Sequence, residues 1–444
     1  MVMASNQGVL DRIFKLSQKG TNVKTEILAG VTTFVTLAYI IFVNPNILAD
    51  AGIPKEAAIA ATIWATAVAT TLMGLWANFP VAVAPGMGLN AFFAYFVVAQ
   101  LGLPWQVGLG AVFFSGIFFL ILTIGGIRQA IVNAVPNNLK AAIGVGIGLF
   151  IAFIGLRNAG IVVNSEATSV TLGNLTEPST LLAVVGLILT AVLMARNVKG
   201  AMLIGIITTT VLGMIFGVVP VPKGISGIMS FNIPSLKPTF LHLDLAGALK
   251  FGLFNIIFTM TLVELFDNMG TLIGLTRKAG LMDENGKIEN LDRALTTDAI
   301  GTIISAIFGT TTVTSYIESA AGIAEGGKTG LTAIVVAVLF VVALIFAPLI
   351  GLVPAFATAP ALILVGALML AEIRHVDFDD FTEAFPAFMT IIMMPLTYSI
   401  ANGFAFGFVS YTLVKALTGK FKDISWVMWI VSIAFIINFY MRLH

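Results

Sequence analysis

An all-α membrane protein, with fourteen spans arranged as two inverted seven-span repeats, is the architecture the sequence predicts. Three observations carry it: uncharged stretches too long for a soluble core, a one-sided distribution of Lys and Arg, and paired chain breaks seven spans apart. Of 444 residues, 58% are hydrophobic and 10% charged, and the mean hydropathy is +1.01. Soluble domains carry about 25% charge. No charged residue occurs from Ala57 to Ile127, from Thr329 to Ala371 or from Ala384 to Val414, and about 20 apolar residues make one span. A net charge of +1 argues against a nucleic-acid footprint. The absence of Cys excludes disulfides and thiolate metal sites.

Apolar runs place helices at 26–48, 57–78, 80–100, 105–125, 137–159, 179–196, 200–219, 248–275, 291–308, 311–325, 329–353, 355–373, 380–399 and 401–418. A last apolar segment, 425–441, either crosses the membrane or lies against the bundle. The polar stretch from Met1 to Lys24 has no signal-peptide core, which keeps the N-terminus in the cytoplasm. Seventeen of the 23 Lys and Arg then fall on cytoplasmic segments. Lys55, Arg157, Lys223, Lys237 and Lys250 fall outside and Arg442 is undecided. Such a positive-inside bias fits a multi-pass protein of the cytoplasmic membrane.

The repeats show as corresponding segments. Thr36 to Ile53, ending Ala-Gly-Ile, matches Thr261 to Leu281, ending Ala-Gly-Leu. Ala142 to Gly148 matches Ala361 to Ala367. The break from Phe79 to Gly88 matches that from Gly309 to Tyr316. The offset is seven spans, and an odd offset sets the halves antiparallel, as in transporters built from inverted repeats. Pro80 and Pro85 remove backbone donors and restrict the residues before them, so the first break is a poor helix start. Extended backbone at membrane depth survives only where protein or a cavity covers it. A half-helix begins after each break, near Gly88-Leu89-Asn90 and near Ser315 to Glu318, with free N–H groups at its start.

Four acids stand in this setting: Glu264, Asp267, Asp298 and Glu318. None of Glu264, Asp267 and Glu318 has a Lys or Arg nearer than ten residues along the chain. A carboxylate near a bilayer centre costs about 2.5–3.5 kcal/mol on insertion scales, so such residues mark substrate or ion paths. Acids without basic partners suit a neutral, N–H-bearing substrate moved with a cation. The pattern implies a transporter.

At these residues the chain resembles a family. Pro85-Gly86-Met87-Gly88-Leu89-Asn90-Ala91-Phe92-Phe93, Glu264-Leu265-Phe266-Asp267-Asn268-Met269-Gly270-Thr271-Leu272 and Thr312-Val313-Thr314-Ser315-Tyr316-Ile317-Glu318-Ser319 are similar to runs of the AzgA-like purine permeases. This is a branch of the nucleobase transporter superfamily. Asn44-Pro45 and the run from Met394 to Ile400 extend the resemblance over nearly the whole chain. The family pattern more often has Asp at position 264 and Thr at 268, so the preferred purine among adenine, guanine and hypoxanthine stays open.

The resemblance implies a cytoplasmic N-terminus (1–25) and a core domain from spans 1–4 and 8–11 (26–125 and 248–353). A gate domain follows from spans 5–7 and 12–14 (126–219 and 354–444), with an outside linker at 220–247. It further implies a homodimer, an elevator motion of core against gate, and proton symport. No cofactor, metal or nucleic acid is expected. The alternative is a proton- or sodium-coupled carrier of another neutral heterocycle, such as uracil or xanthine.

Each candidate has a bland reading beside the functional one. Glu318 accepts purine N–H groups, or simply complements a half-helix dipole. Glu264 and Asp267, three apart on one helix face, divide substrate binding and proton coupling, or only stabilise broken backbone. Asp298, near Arg293 at a helix end, reads as structural. Asn90 bonds the substrate edge or caps local backbone. Phe92, Phe266 and Tyr316 stack on a flat ring or pack. Thr310, Thr311, Thr312 and Thr314 satisfy the chain break. Gly144, Gly146 and Gly148 form a small-residue packing patch, with a surface for a sliding core as the second reading. His242, His375 and His444 lie in loops or at the terminus. Glu372, Arg374, His375, Asp377, Asp379, Asp380 and Glu383 read as a solvated cytoplasmic loop.

Rival classes fit less well. A channel needs a ring of polar residues, which these clustered acids do not make. An enzyme needs a nucleophile–base pair, and an ATP-driven pump needs a phosphate-binding loop. Sulfate carriers share a similar architecture, but paired acids would repel a dianion.

Overall fold

The computed structural model describes residues 8–125, 131, 133–252, 256–279, 281 and 288–443. Arg128, Lys287 and His444 lie outside these. The fold is a mostly helical membrane-transporter fold. Eight helices among the described residues are long and apolar enough to cross a membrane. They are Val23–Asp50, Lys55–Ala77, Trp105–Ile124, Asn137–Asn158, Pro178–Ala195, Gly330–Leu352, Ala355–His375 and Ile400–Leu417. Shorter apolar helices cover Met87–Gln100, Ala201–Ile215, Phe381–Leu396 and Trp426–Ile437. The acid-bearing helix Leu291–Phe308 falls where the sequence placed it, while the span expected at 248–275 is found as two helices, Leu245–Gly252 and the acid-bearing Phe258–Lys278.

The first span is broken at Ala38–Tyr39, between helices Val23–Leu37 and Ile40–Asp50. Pro45 lies inside the second piece, where it removes one helical hydrogen bond and crowds the carbonyl four residues back. The break turns Tyr39 inward, and it is almost wholly buried.

Both predicted chain breaks are extended. Strand β1 (Val83–Pro85) precedes the short helix Met87–Ala91, which continues as a wide-turn π-helix over Phe92–Gln100. A hairpin that the sequence reading did not foresee, β2 (Val162–Ser165) with β3 (Ser169–Leu172), caps the loop after Asn137–Asn158. Strand β4 (Val313–Ser315) precedes Ser319–Ala324. β1 and β4 pair antiparallel, with Val83 opposite Ser315, Ala84 opposite Thr314 and Pro85 opposite Val313. Neither strand could satisfy its backbone alone in an apolar setting, so each supplies the other's partners.

Helix contacts fall into two sets. Trp105–Ile124 packs on Leu291–Phe308, while Val23–Leu37 and Lys55–Leu72 pack on Gly330–Ala343. Separately, Asn137–Asn158 packs on Ala355–Met369 and Phe381–Leu396, and the latter on Ile400–Leu417. Close approach within the first set depends on glycine. A Cβ on Gly330 would sit 1.9 Å from the Gly74 carbonyl oxygen. Only backbone separation relieves that clash. Gly330→Ala is therefore expected to destabilise the protein by about 1–3 kcal/mol, read as a lower melting temperature in detergent.

The small-residue patch belongs inside the second set. Gly146 faces Met394 and Ile391, and Gly148 faces Met369 and Gly366. One close contact toward the second set runs through Gly88, whose added Cβ would meet Ile147, Ile151 and Ile400. Glu372, Arg374, His375, Asp377 and Asp379 of the acidic loop are exposed as expected, while Asp380 and Glu383 turn to a buried partner. Lys415, 3% exposed, is held by Glu383 at 2.7 Å, Asp423 at 3.6 Å and Asp380 at 3.9 Å. Hydrogen bonds from Lys420 and Thr382 hold the exposed Asp380 carboxyl well below the usual carboxylate range.

Candidate functional site

The β1–β4 pair is the floor of a polar cluster that draws on both halves of the chain. The pairing continues past the strands: Gly86 N–H donates to Thr312 O at 2.9 Å, and Tyr316 N–H to Ala82 O at 2.9 Å. Side chains close the remaining backbone groups. Ser319 Oγ accepts from Ala82 N–H at 3.0 Å, Thr70 Oγ1 accepts from Val83 N–H at 3.0 Å, and Asn268 Oδ1 accepts from Ser315 N–H at 2.8 Å. The Tyr316 hydroxyl donates to Pro85 O.

Around this floor stand the four acids. Glu264 is fully buried on Phe258–Lys278 and accepts a 2.6 Å hydrogen bond from Thr302 on its Oε1. Its Oε2 has no hydrogen-bond partner among the described residues. Asp298 is equally buried and accepts from Ser315 Oγ at 3.1 and 3.0 Å. Its carboxylate holds a residue of strand β4. Glu318, half-buried, accepts from the Tyr39 hydroxyl at 2.6 Å. Asp267 has an exposed side chain and lies within electrostatic reach of Glu264, Asp298 and Glu318, beside Thr314. No described Lys or Arg forms an ion pair with any of the four.

Other candidates occupy distinct niches. Asn90, buried at the end of the first half-helix, accepts from Thr311 through Oδ1, while its Nδ2 has no partner among the described residues. Asn268 Nδ2 is in the same condition. Phe92 is fully buried and stacks on Phe96 at 4.9 Å, which makes it a packing element as placed. Phe266 is half-buried and stacks on Phe404 of the other helix set at 6.5 Å. Tyr316 is buried with its hydroxyl committed to Pro85. Among the threonines of the second break, Thr310 bonds Asn44 at 3.0 Å and Thr311 bonds Asn90.

One helix face beside this cluster is exposed. Asp267, Gly270 and Gly274 share one face of Phe258–Lys278 and all three are exposed. A Cβ added at Gly270 or Gly274 would meet nothing within 4 Å. Ile317 and Ala324, beside them on the second half-helix, are exposed as well.

Sequence reasoning missed Tyr39 and Thr302, and named Ser315 and Asn268 only within motifs, without their hydrogen-bond partners. Tyr39 carried one signal, its position six residues before Pro45 in an otherwise apolar span. Thr302 and Ser315 carried none, because their importance comes from partners distant in the chain.

A model of the permease family Xan_ur_permease matches residues 24–406. The chain is 52% identical over 430 residues to a putative permease of Methanocaldococcus jannaschii, covering 97% of this chain and 98% of that one. It is 47% identical to the adenine permease AdeP of Escherichia coli K12, covering 98% and 96% respectively. It is 44% identical to the guanine/hypoxanthine permease PbuO of Bacillus subtilis 168, covering 96% and 100%. In structure it is similar to the transmembrane domain of the cyanobacterial bicarbonate transporter BicA, with a TM-score of 0.64 at 17% identity over 85% of this chain and 97% of that one. At that identity the likeness concerns the fold alone.

Proposed function

We propose, from the premise that this chain belongs to the permease family Xan_ur_permease, that it imports a purine nucleobase across the cytoplasmic membrane by proton symport. The protein is a permease and not an enzyme. The observation that carries the substrate reading is the donor and acceptor inventory of the cluster. Glu264 Oε2, Asn90 Nδ2 and Asn268 Nδ2 are buried without protein partners among the described residues, and an unpaired buried polar group costs about 1–3 kcal/mol. A flat heterocycle with ring N–H donors and ring-nitrogen or carbonyl acceptors satisfies both kinds. An anion does not, since the acids would repel it and no described cation offsets them.

The family relatives named as adenine and guanine/hypoxanthine permeases support a purine over a pyrimidine. In this reading Glu318 and Glu264 hold the ring, Asn90 orients its edge, Phe266 and Tyr316 flank it, and Asp267 links occupancy to protonation. Fourteen spans in two inverted repeats, moving as core against gate, account for the two helix sets. The Gly88 contact and the ion pair between Lys199 and Glu325, which joins them at one end, would be remade on each cycle. The homodimer follows from the family resemblance and belongs to the same reading.

The test is uptake of radiolabelled adenine, hypoxanthine and guanine in cells lacking their own purine carriers, with unlabelled uracil and xanthine as competitors. Saturable uptake of at least one purine, insensitive to uracil, is the expected result. Silence with all three purines, or full competition by uracil, overturns it.

A further inference from the structure

A second polar feature lies away from the acid cluster, at the end of the bundle where the N-terminal segment meets the helices. A cavity of about 130 Å³ is lined by Lys15, Lys19 and Arg293, with Glu289 as the one acid among its described lining residues. Glu289 is already engaged, since Lys19 donates to it at 2.6 Å. That hydrogen bond, with the charges of Lys19 and Lys15, holds its carboxyl below the usual range. Lys15 and Arg293 form no ion pair with a described carboxylate. The described lining residues therefore keep two net positive charges.

The rim of the cavity is apolar, which a site for a soluble anion does not need. Leu75 is 57% exposed, Trp76 41% and Ile13 52%. Ile13 belongs to the short helix Val9–Phe14, which also exposes Val9 and Leu10 while Phe14 and Leu16 pack on Leu331. Asn78 fixes this segment against the bundle, donating to Phe14 O at 3.0 Å and accepting from Gly330 N–H at 2.7 Å. A basic pocket between spans, flanked by a Trp and by outward apolar side chains, has the chemistry of a membrane interface. The helix Lys55–Ala77 ends here, so the pocket sits at the depth of lipid headgroups.

We propose that Lys15, Lys19 and Arg293 bind the phosphate of an anionic phospholipid, whose acyl chains lie along Leu75, Trp76 and the exposed face of Val9–Phe14. The bound lipid ties the N-terminal segment to the helices Lys55–Ala77 and Leu291–Phe308. Lys19 shifts between Glu289 and the phosphate, while Lys15 and Arg293 supply the charge that selects an anionic headgroup.

The experiment uses the purified full-length chain in detergent, with lipid adducts counted by native mass spectrometry and melting temperature followed in parallel. Probes are dioleoylphosphatidylglycerol, dioleoylphosphatidylcholine and inorganic phosphate. Phosphatidylglycerol is expected to bind and stabilise in preference to phosphatidylcholine. The K15Q/R293Q variant should lose that preference by about 25-fold, about fivefold for each cation removed. R293K, which keeps the charge, and K420Q, at the distant Asp380 cluster, should retain it. If K15Q/R293Q does not purify folded, K15Q alone is read the same way at about fivefold. Equal binding of the two lipids, an unchanged preference in the variants, or equal stabilisation by inorganic phosphate overturns the proposal. The last result would assign the pocket to a soluble anion.

Discussion

Glu318→Gln is expected to lower purine uptake about 100-fold with unchanged abundance in the membrane, because hydrogen bonds to charged groups contribute about 1.5–3 kcal/mol each. Gln keeps the shape of the side chain, and its amide oxygen still accepts from Tyr39. What changes is the second position, where an acceptor becomes an N–H donor. A purine N–H that faced a carboxylate oxygen then faces another donor, and the site repels the group it was built to receive. Tyr39→Phe separates positioning from contact. It leaves the carboxylate in place but unheld, so it should weaken the apparent affinity for purine while maximal uptake persists. Uptake assays with surface-abundance controls check both variants. Undiminished high-affinity uptake by Glu318→Gln removes that residue from the site.

Asp267→Asn should abolish accumulation driven by an inward proton gradient while exchange of internal for external purine survives. Asp267 is the solvent-exposed member of the acid cluster, beside Thr314 and within reach of Glu318. An exposed carboxylate can take a proton from one side and pass its charge state to a neighbour; an Asn cannot. The variant should still bind and translocate, so preloaded vesicles should exchange label yet never exceed the external concentration. Accumulation that persists and remains sensitive to a protonophore would move coupling to another acid, with Glu264 the next to test. Loss of exchange as well would make Asp267 a binding residue.

Much of this arrangement was legible in the sequence because its signals are local. Pro80, Pro85 and Gly86 break a helix wherever they occur, and an acid such as Glu264 in an apolar run marks function without any structure. The breaks at Phe79 to Gly88 and Gly309 to Tyr316 could be matched by position, and the strands that fill them run antiparallel. Other features depend on partners far along the chain. Nothing near Thr302 says that it holds Glu264, nothing near Ser315 says that it meets Asp298, and Asn44 meets Thr310 across 266 residues. The β2–β3 hairpin was missed for a different reason. Its strands, Val-Val-Asn-Ser and Ser-Val-Thr-Leu, are only four residues each and lack a clear alternation, in a loop between two long apolar runs. The reading of Glu383 as a solvated loop residue failed to include Lys415, whose buried charge draws three acids around it.

The strand pair at the floor of the site also sets a timetable for making the protein. Tyr316 and Pro85, which bond across it, are 231 residues apart in the chain. Ribosomes add about 5–20 residues per second, so roughly 10–50 s pass between synthesis of the two strands. Throughout that interval the first break has inserted with its ladder half empty, and unpaired backbone in hydrocarbon costs several kcal/mol per group. Val83 to Pro85 thus stay without their ladder partners until Val313 to Ser315 are made. The polar cluster built on the strand pair comes into being only at that late step.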